Sequence, residues 1–172
     1  MIRRQLINFQ NRSVDVRVGL GAFDELSRKV ASAVGKPKRA MVVWSDVTSE
    51  RFGEVVEHAV SPLVLEVSPA GATLADADAI FGALSANGIT CDDLVVAVGD
   101  AATCSVVSWC ANQWCGRTEC ALLPTTFDAM LTVATTMKPL VASSANALPA
   151  IAFRPEPGLI VCDLDLVREA DP

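Results

Sequence analysis

The 172-residue sequence has no tyrosine, one histidine and few aromatics of any kind, 5% in all. Proteins that bind single-stranded nucleic acid stack bases on aromatic rings, and this chain has little to stack on. Positive charge is also short: 14 Lys and Arg stand against 20 Asp and Glu, a formal net charge of −6. Basic residues are scattered apart from "GKPKR" at 35–39, which reads as a turn before a strand. A phosphate backbone calls for a basic stripe, so nucleic acid is not an expected partner. Long apolar runs are missing too, and none reaches the length that spans a bilayer. The opening "MIRRQLINFQNRS" lacks a hydrophobic leader core and a small-residue cleavage site. These absences lead to the expectation of a soluble, cytoplasmic protein with no membrane association.

Metal-ligand spacing is absent as well. The six cysteines, at 91, 104, 110, 115, 120 and 162, form no C-x-x-C pair, and His58 is the only histidine. A zinc site has no spacing support from such a set. Cys104, Cys110, Cys115 and Cys120 fall in or beside one predicted helix and the strand after it. They read as reduced, buried, structural thiols, with a redox or metal role as the alternative.

What the chain does have is core. Its hydrophobic fraction is 51%, too high for disorder, and its length suits a single domain over 1–172. Strand and helix signals alternate. "SVDVRVG" (13–19) alternates with period two, as a half-buried strand does. In "AFDELSRKVASAV", Phe23, Leu26, Val30 and Val34 have helical spacing, with Gly35 as the stop. "RAMVVWSD" reads as a buried strand. The next helix, "VTSERFGEVVEHAV", has Thr48 or Ser49 as N-cap and Phe52, Val55, Val56 and Ala59 on one face. "LVLEVS" is the following strand. "TLADADAIFGALSANG" opens with a capping-box pattern, Thr73 to Asp76, and ends at Asn87-Gly88. The strand "DLVVAVGD" then leads to a helix over about 102–114, and the strand "ECALLPTT" ends at Pro124. Thr126 caps a predicted helix over 127–137. An irregular stretch with Pro149, Pro155 and Pro157 precedes the last strand, "GLIVCD".

Near-continuous apolar strands separated by amphipathic helices predict an α/β fold, a Rossmann-like three-layer sandwich with a mostly parallel sheet. Ligands of such folds bind beyond the carboxyl ends of the strands. Three strand ends are candidates. At Ser45-Asp46, Asp46 is placed to accept ribose hydroxyls, or simply starts a helix. Gly99 and Asp100 open a helix whose first N–H groups could face a phosphate, although one glycine is little and a carboxylate repels phosphate. Thr125 and Thr126 present two hydroxyls after Pro124. Trp109 and Trp114, on or near the fourth helix, read either as an exposed patch or as packing residues.

Taken together, "AFDEL", "DLVVAVGDAATCSVVSWCANQWCGRTECALLPTTFDAM" and "GLIVCD" resemble the N-terminal domain of 3-dehydroquinate synthase. More broadly they resemble the sugar-phosphate cyclases and the iron-dependent alcohol and glycerol dehydrogenases. The family pattern is a glycine-rich GGGVxGD turn and helix, a strand ending P-T-T-L-x-A, and then D-S-S-x-G-G-K. Residues 94 to about 138 line up with it without gaps. The resemblance implies a cofactor, NAD, held by Gly99, Thr125, Thr126 and Lys138, with Asp46 on a neighbouring loop.

The sequence also departs from the pattern. Asp100 and Ala101 replace the second and third glycines, Cys104 the later one, and Ser105 the aspartate. "TVATTM" (132–137) stands where D-S-S-x-G-G is expected, and a family loop is shortened to "SPAGAT". Each change removes a charge, a dipole or close backbone approach, so the turn after Gly99 reads as the remnant of a phosphate cradle. The family's helical C-terminal domain, which supplies Glu and His ligands for zinc, has no counterpart in these residues, so neither catalytic residues nor a zinc site are expected in this chain.

The resemblance therefore implies a 3-dehydroquinate synthase-like N-terminal domain, truncated or degenerate and inactive alone. The parent family is a lyase of the shikimate pathway of aromatic amino acid biosynthesis. Two alternatives stay open: a nucleotide-binding regulatory or interaction module, and a glycerol dehydrogenase-type NAD oxidoreductase fragment. The expected partners are a second copy of the chain or a separate C-terminal domain.

Overall fold

A computed structural model describes residues 1–9, 12–44, 46–60, 64–67, 71–142, 149–154 and 156–166. In chain order, strands β1 (Ile2–Phe9) and β2 (Arg12–Gly19) precede helix α1 (Leu26–Val34) and strand β3 (Ala40–Trp44). Helix α2 (Asp46–Val60), strand β4 (Val64–Val67), helix α3 (Leu74–Ala86) and strand β5 (Leu94–Gly99) follow. Then come α4 (Ala101–Gln113), β6 (Glu119–Pro124), α5 (Phe127–Thr132), the short β7 (Leu140–Val141) and β8 (Pro149–Ile151), and β9 (Leu159–Asp163).

Seven strands form one sheet in the order β1-β2-β9-β6-β5-β3-β4. Only the β1–β2 hairpin is antiparallel; every other pair in this sheet is parallel. Alternation along the strands sends successive side chains to opposite faces. Met41, Val95, Leu122 and Ile160 pack beneath α3, α4 and α5. Val42, Val96, Leu123 and Val161 pack beneath α1 and α2. The predicted three-layer α/β sandwich with a mostly parallel sheet is the observed fold, and its central strands β3, β5 and β9 are buried along their whole length.

Local signals place most element ends. Thr73 and Asp76 make the reciprocal capping box at the start of α3, Thr73 Oγ1 accepting the Asp76 N–H at 3.1 Å and Asp76 Oδ2 accepting the Thr73 N–H at 3.0 Å. Gly35 ends α1 at φ 82°, a conformation that excludes most side chains. Trp109 and Trp114 are packing residues: Phe81 of α3 lies 5.8 Å and 5.9 Å from their rings, and Trp114 Nε1 donates to Ile89 O at 2.8 Å.

Several expectations need correction. Residues 2–9 form a strand that the patterning did not predict. The helix expected from Ala22 starts only at Leu26, because residues 20–25 turn through Gly21 (φ 64°) and Glu25 (φ 57°). Helix α2 begins at Asp46, so Thr48 and Ser49 lie inside it rather than capping it. Helix α5 stops at Thr132 instead of running to residue 137; its many β-branched residues lower helix propensity there. Ser45, Pro155 and the first half of the shortened "SPAGAT" loop, residues 68–70, lie outside the described residues.

Candidate functional site

The carboxyl ends of β3, β5, β6 and β9 form one edge of the sheet, where a ligand of this architecture would bind. In β5 and β6, Gly99 pairs with Pro124, and the Thr125 N–H donates to Gly99 O at 2.8 Å. That bond brings the proposed cofactor residues Gly99 and Thr125 side by side. In β3, Trp44 pairs with Val98, so Asp46 opens α2 at the same edge.

Helix α4 starts from this edge with its N-terminus already occupied. Asp100 is the N-cap, in extended backbone, and its Oδ1 accepts the Thr103 N–H at 2.8 Å. The four leading N–H groups of a helix lack helical partners and carry the positive end of its dipole. Here a carboxylate of the chain itself satisfies one of them. The Cys104 N–H bonds Asp100 O at 3.0 Å, the first turn of the helix proper.

Gly99 is glycine for a reason internal to the protein. Its φ is not positive, so no left-handed turn requires it. A Cβ at this position would meet Thr103 Cβ and Oγ1 at 3.1 Å. The space freed by the missing side chain is taken up by Thr103.

Thr126 caps α5, its hydroxyl accepting the Ala129 N–H at 3.3 Å. Lys138 follows α5 and packs back on α4. Its N–H donates to Ser105 Oγ at 2.9 Å, and its ammonium lies 3.6 Å from Asp128 Oδ2. Both partners of that ion pair are exposed, so it contributes little to stability. Ser105 is fully buried and donates to Ala101 O at 2.6 Å. The residue at the family's aspartate position thus ties the Lys138 backbone to α4.

Two carboxylates at the end of β9 have roles that sequence reasoning missed. Asp163 Oδ2 accepts the Phe23 N–H at 2.8 Å, and Asp165 Oδ2 accepts the Gly21 N–H at 2.8 Å. They clasp the 20–25 turn to the sheet. An Asp-x-Asp directly after an apolar strand was the available signal.

Among the described residues no group of three or more His, Cys, Asp or Glu could hold a metal ion. The six cysteines are free thiols. Burial pushes Cys110 and Cys162 up to about 12, and raises Cys104 and Cys120 as well. Such thiols stay protonated and unreactive. No helix among the described residues is long and apolar enough to cross a membrane.

No protein-family model and no curated protein matches this sequence. Solved structures do match the fold. One is 2-deoxy-scyllo-inosose synthase, at TM-score 0.80 and 16% identity, over 99% of this chain and 49% of that one. A second is 2-epi-5-epi-valiolone synthase from Streptomyces hygroscopicus, with NAD+ and Zn2+ bound, at TM-score 0.71 and 16% identity over 97% and 47%. A third is sulfoacetaldehyde reductase from Bifidobacterium kashiwanohense in complex with NAD+, at TM-score 0.69 and 16% identity over 92% and 46%. The fold is that of the N-terminal domain of dehydroquinate synthase-like enzymes, shared with alcohol and glycerol dehydrogenases. The chain spans about half the length of the structures it matches.

Several of these neighbours bind NAD, so the fit of that group to this edge can be tested. A pyrophosphate at the N-terminus of α4 would compete with the Asp100 carboxylate for the Thr103 N–H. Thr103 fills the space beside Gly99, the Thr126 hydroxyl caps α5, and Asp128 balances Lys138. These residues do not fit a dinucleotide phosphate.

Proposed function

We propose that this chain is a dehydroquinate synthase-like cofactor-fold domain in degenerate form, whose own Asp100 carboxylate stands where the relatives' dinucleotide phosphate would bind. On this reading it descends from the sugar-phosphate cyclase branch, its motifs resembling those of 3-dehydroquinate synthase, and carries out no redox or elimination step alone. Three things support the branch: the "PTTFDA" strand exit, the order of elements, and the TM-scores of 0.78 and 0.80 to the inosose synthase structures. NAD belongs to the lineage rather than to this site.

One observation carries the reading, the 2.8 Å bond from the Thr103 N–H to Asp100 Oδ1. Bringing a phosphate charge within about 4 Å of that carboxylate costs roughly 4 kcal/mol at an effective dielectric near 20. That is about three orders of magnitude in affinity. Calorimetric titration of the full chain with NAD tests it. No saturable heat is expected up to millimolar cofactor, and a micromolar dissociation constant would overturn the reading.

A second reading, an interaction module, draws on α5. Phe127 and Leu131, one helical turn apart beside this edge, are 57% and 62% exposed. The partner in that case is a separate helical domain of the kind that completes the matched enzymes, and Leu131→Asp would abolish its binding.

A further inference from the structure

The amino ends of β2, β6 and β9 lie at the other end of the sheet from the carboxyl edge, about 16 Å away along β6. Together with the last turn of α1 they surround a cavity of about 380 Å³, lined among others by Arg12, Arg117, Glu119, Ala33, Val34 and Gly158. That volume is typical of small-molecule sites. Gly158 keeps the wall open for its neighbours: a Cβ there would stand 2.5 Å from Val34 Cγ1 and 2.7 Å from Glu119 Oε2. Each arginine is held by one glutamate. Arg12 Nη2 pairs with Glu119 Oε2, while Arg117 Nη2 donates to Glu156 O at 3.2 Å and lies 3.3 Å from Glu156 Oε2. Neither guanidinium has a further protein partner, so Nε and Nη1 of both keep unshared N–H donors. Acceptors stand beside them. Glu119 Oε1 accepts no bond. Helix α1 ends here with no basic residue in its last turn, and the Ala33 and Val34 carbonyls accept no bond among the described residues. They form the negative end of its dipole. Strained backbone marks the same place: Cys115, Gly116 and Arg117 follow one another at φ 49°, 75° and 135°. An arginine at φ 135° occupies backbone that favours glycine, and such strain collects at ligand sites.

We propose that this cavity binds a free α-amino acid with an aliphatic side chain. Its carboxylate takes the unshared N–H groups of Arg12 and Arg117, charge-assisted bonds of the kind a planar guanidinium makes best. Its ammonium lies against Glu119 and the carbonyl end of α1, and its side chain packs on the half-buried Ala33 and Val34. A simple anion suits the cavity less well. Glu119 and Glu156 already balance the two arginines, and added negative charge would be repelled by both. A zwitterion meets groups of each sign and leaves the net charge of the site unchanged.

The test is calorimetric titration of the full chain with leucine. Saturable binding at submillimolar leucine is expected. Isocaproate, which lacks the ammonium, and isoamylamine, which lacks the carboxylate, are each expected to bind at least about tenfold more weakly. In magnetic resonance spectra leucine is expected to shift the Arg117, Glu119 and Gly158 amides and to leave those of Gly99, Thr103 and Thr125 in place. Arg117→Gly separates binding from folding. Glycine suits φ 135° and the lost ion pair is half-exposed, so the variant is expected to fold, while its leucine affinity falls at least about tenfold. No saturable leucine binding up to tens of millimolar, an analogue that binds as tightly as leucine, shifts centred on the carboxyl edge, or unchanged affinity in Arg117→Gly would each overturn the proposal.

Discussion

The buried hydroxyl of Ser105 holds Lys138 to helix α4, accepting the Lys138 N–H at 2.9 Å while donating to Ala101 O at 2.6 Å. In the resembled family an aspartate occupies this place and a lysine serves a ligand phosphate. Here the serine is used up inside the fold. Ser105→Ala should therefore lower stability by about 1 kcal/mol and speed exchange of the Lys138 amide, read by urea unfolding and hydrogen exchange. An unchanged Lys138 amide would show that the tether is not formed.

The cap at Asp100 predicts a graded series. Asp100→Ala should cost about 1 kcal/mol of stability, and Asp100→Ser much less, because a serine hydroxyl can still accept the Thr103 N–H. Chemical denaturation of the three proteins checks the order. Equal losses in both variants would mean that the carboxylate does something other than capping.

Asp15 gives the fold a defined response to acid. Burial pushes its carboxyl up, but hydrogen bonds and charge from Arg17 and Arg4 outweigh this and hold it below the ordinary value of 3.8. A lowered folded pKa stabilises the native state above the unfolded value, and that stabilisation is lost as pH falls through the folded one. Asp15→Asn should therefore cost about 1.5 kcal/mol at pH 7, because it takes the charged acceptor away from Arg17 and the half-exposed Arg4. The gap from wild type should shrink as the pH is taken below 3.8. A gap that stays constant down to pH 2 would contradict the assignment.

Thiol reactivity follows burial. Only Cys91 and Cys115 are exposed; Cys104, Cys110, Cys120 and Cys162 are buried with raised pKa values. An aromatic disulfide reagent at pH 8 should modify two thiols per native chain and six after unfolding. Fast reaction of a third native thiol would mean that the core around α4 opens.

Much of this architecture was legible because its signals are local. The Thr73–Asp76 box, the Asn87-Gly88 stop and the Thr126 cap each depend on residues three or four positions apart, and each is where the pattern put it. The parallel sheet was legible from strands apolar on both faces. β1 was not, because only Ile7 and Phe9 of this edge strand are half-buried on the core, too short an apolar alternation to detect. The early start of α2 and the late start of α1 were hidden by competing hydroxyl and glycine signals. At that edge the Thr125 N–H meets Gly99 O and Lys138 is tied to Ser105, but neither role was readable from spacing. Ser105 meets Lys138 across 33 positions, and Asp163 meets Phe23 across 140. Only the packed fold shows that these groups have spent their hydrogen bonds on one another.

The most direct measurement is an amide-resolved magnetic resonance titration of the full chain with NAD. If Asp100 has taken the phosphate's place, the Gly99, Thr103 and Thr125 amide signals stay where they are up to millimolar dinucleotide. Saturable shifts centred on those three amides would show a working cradle, and the account would be wrong.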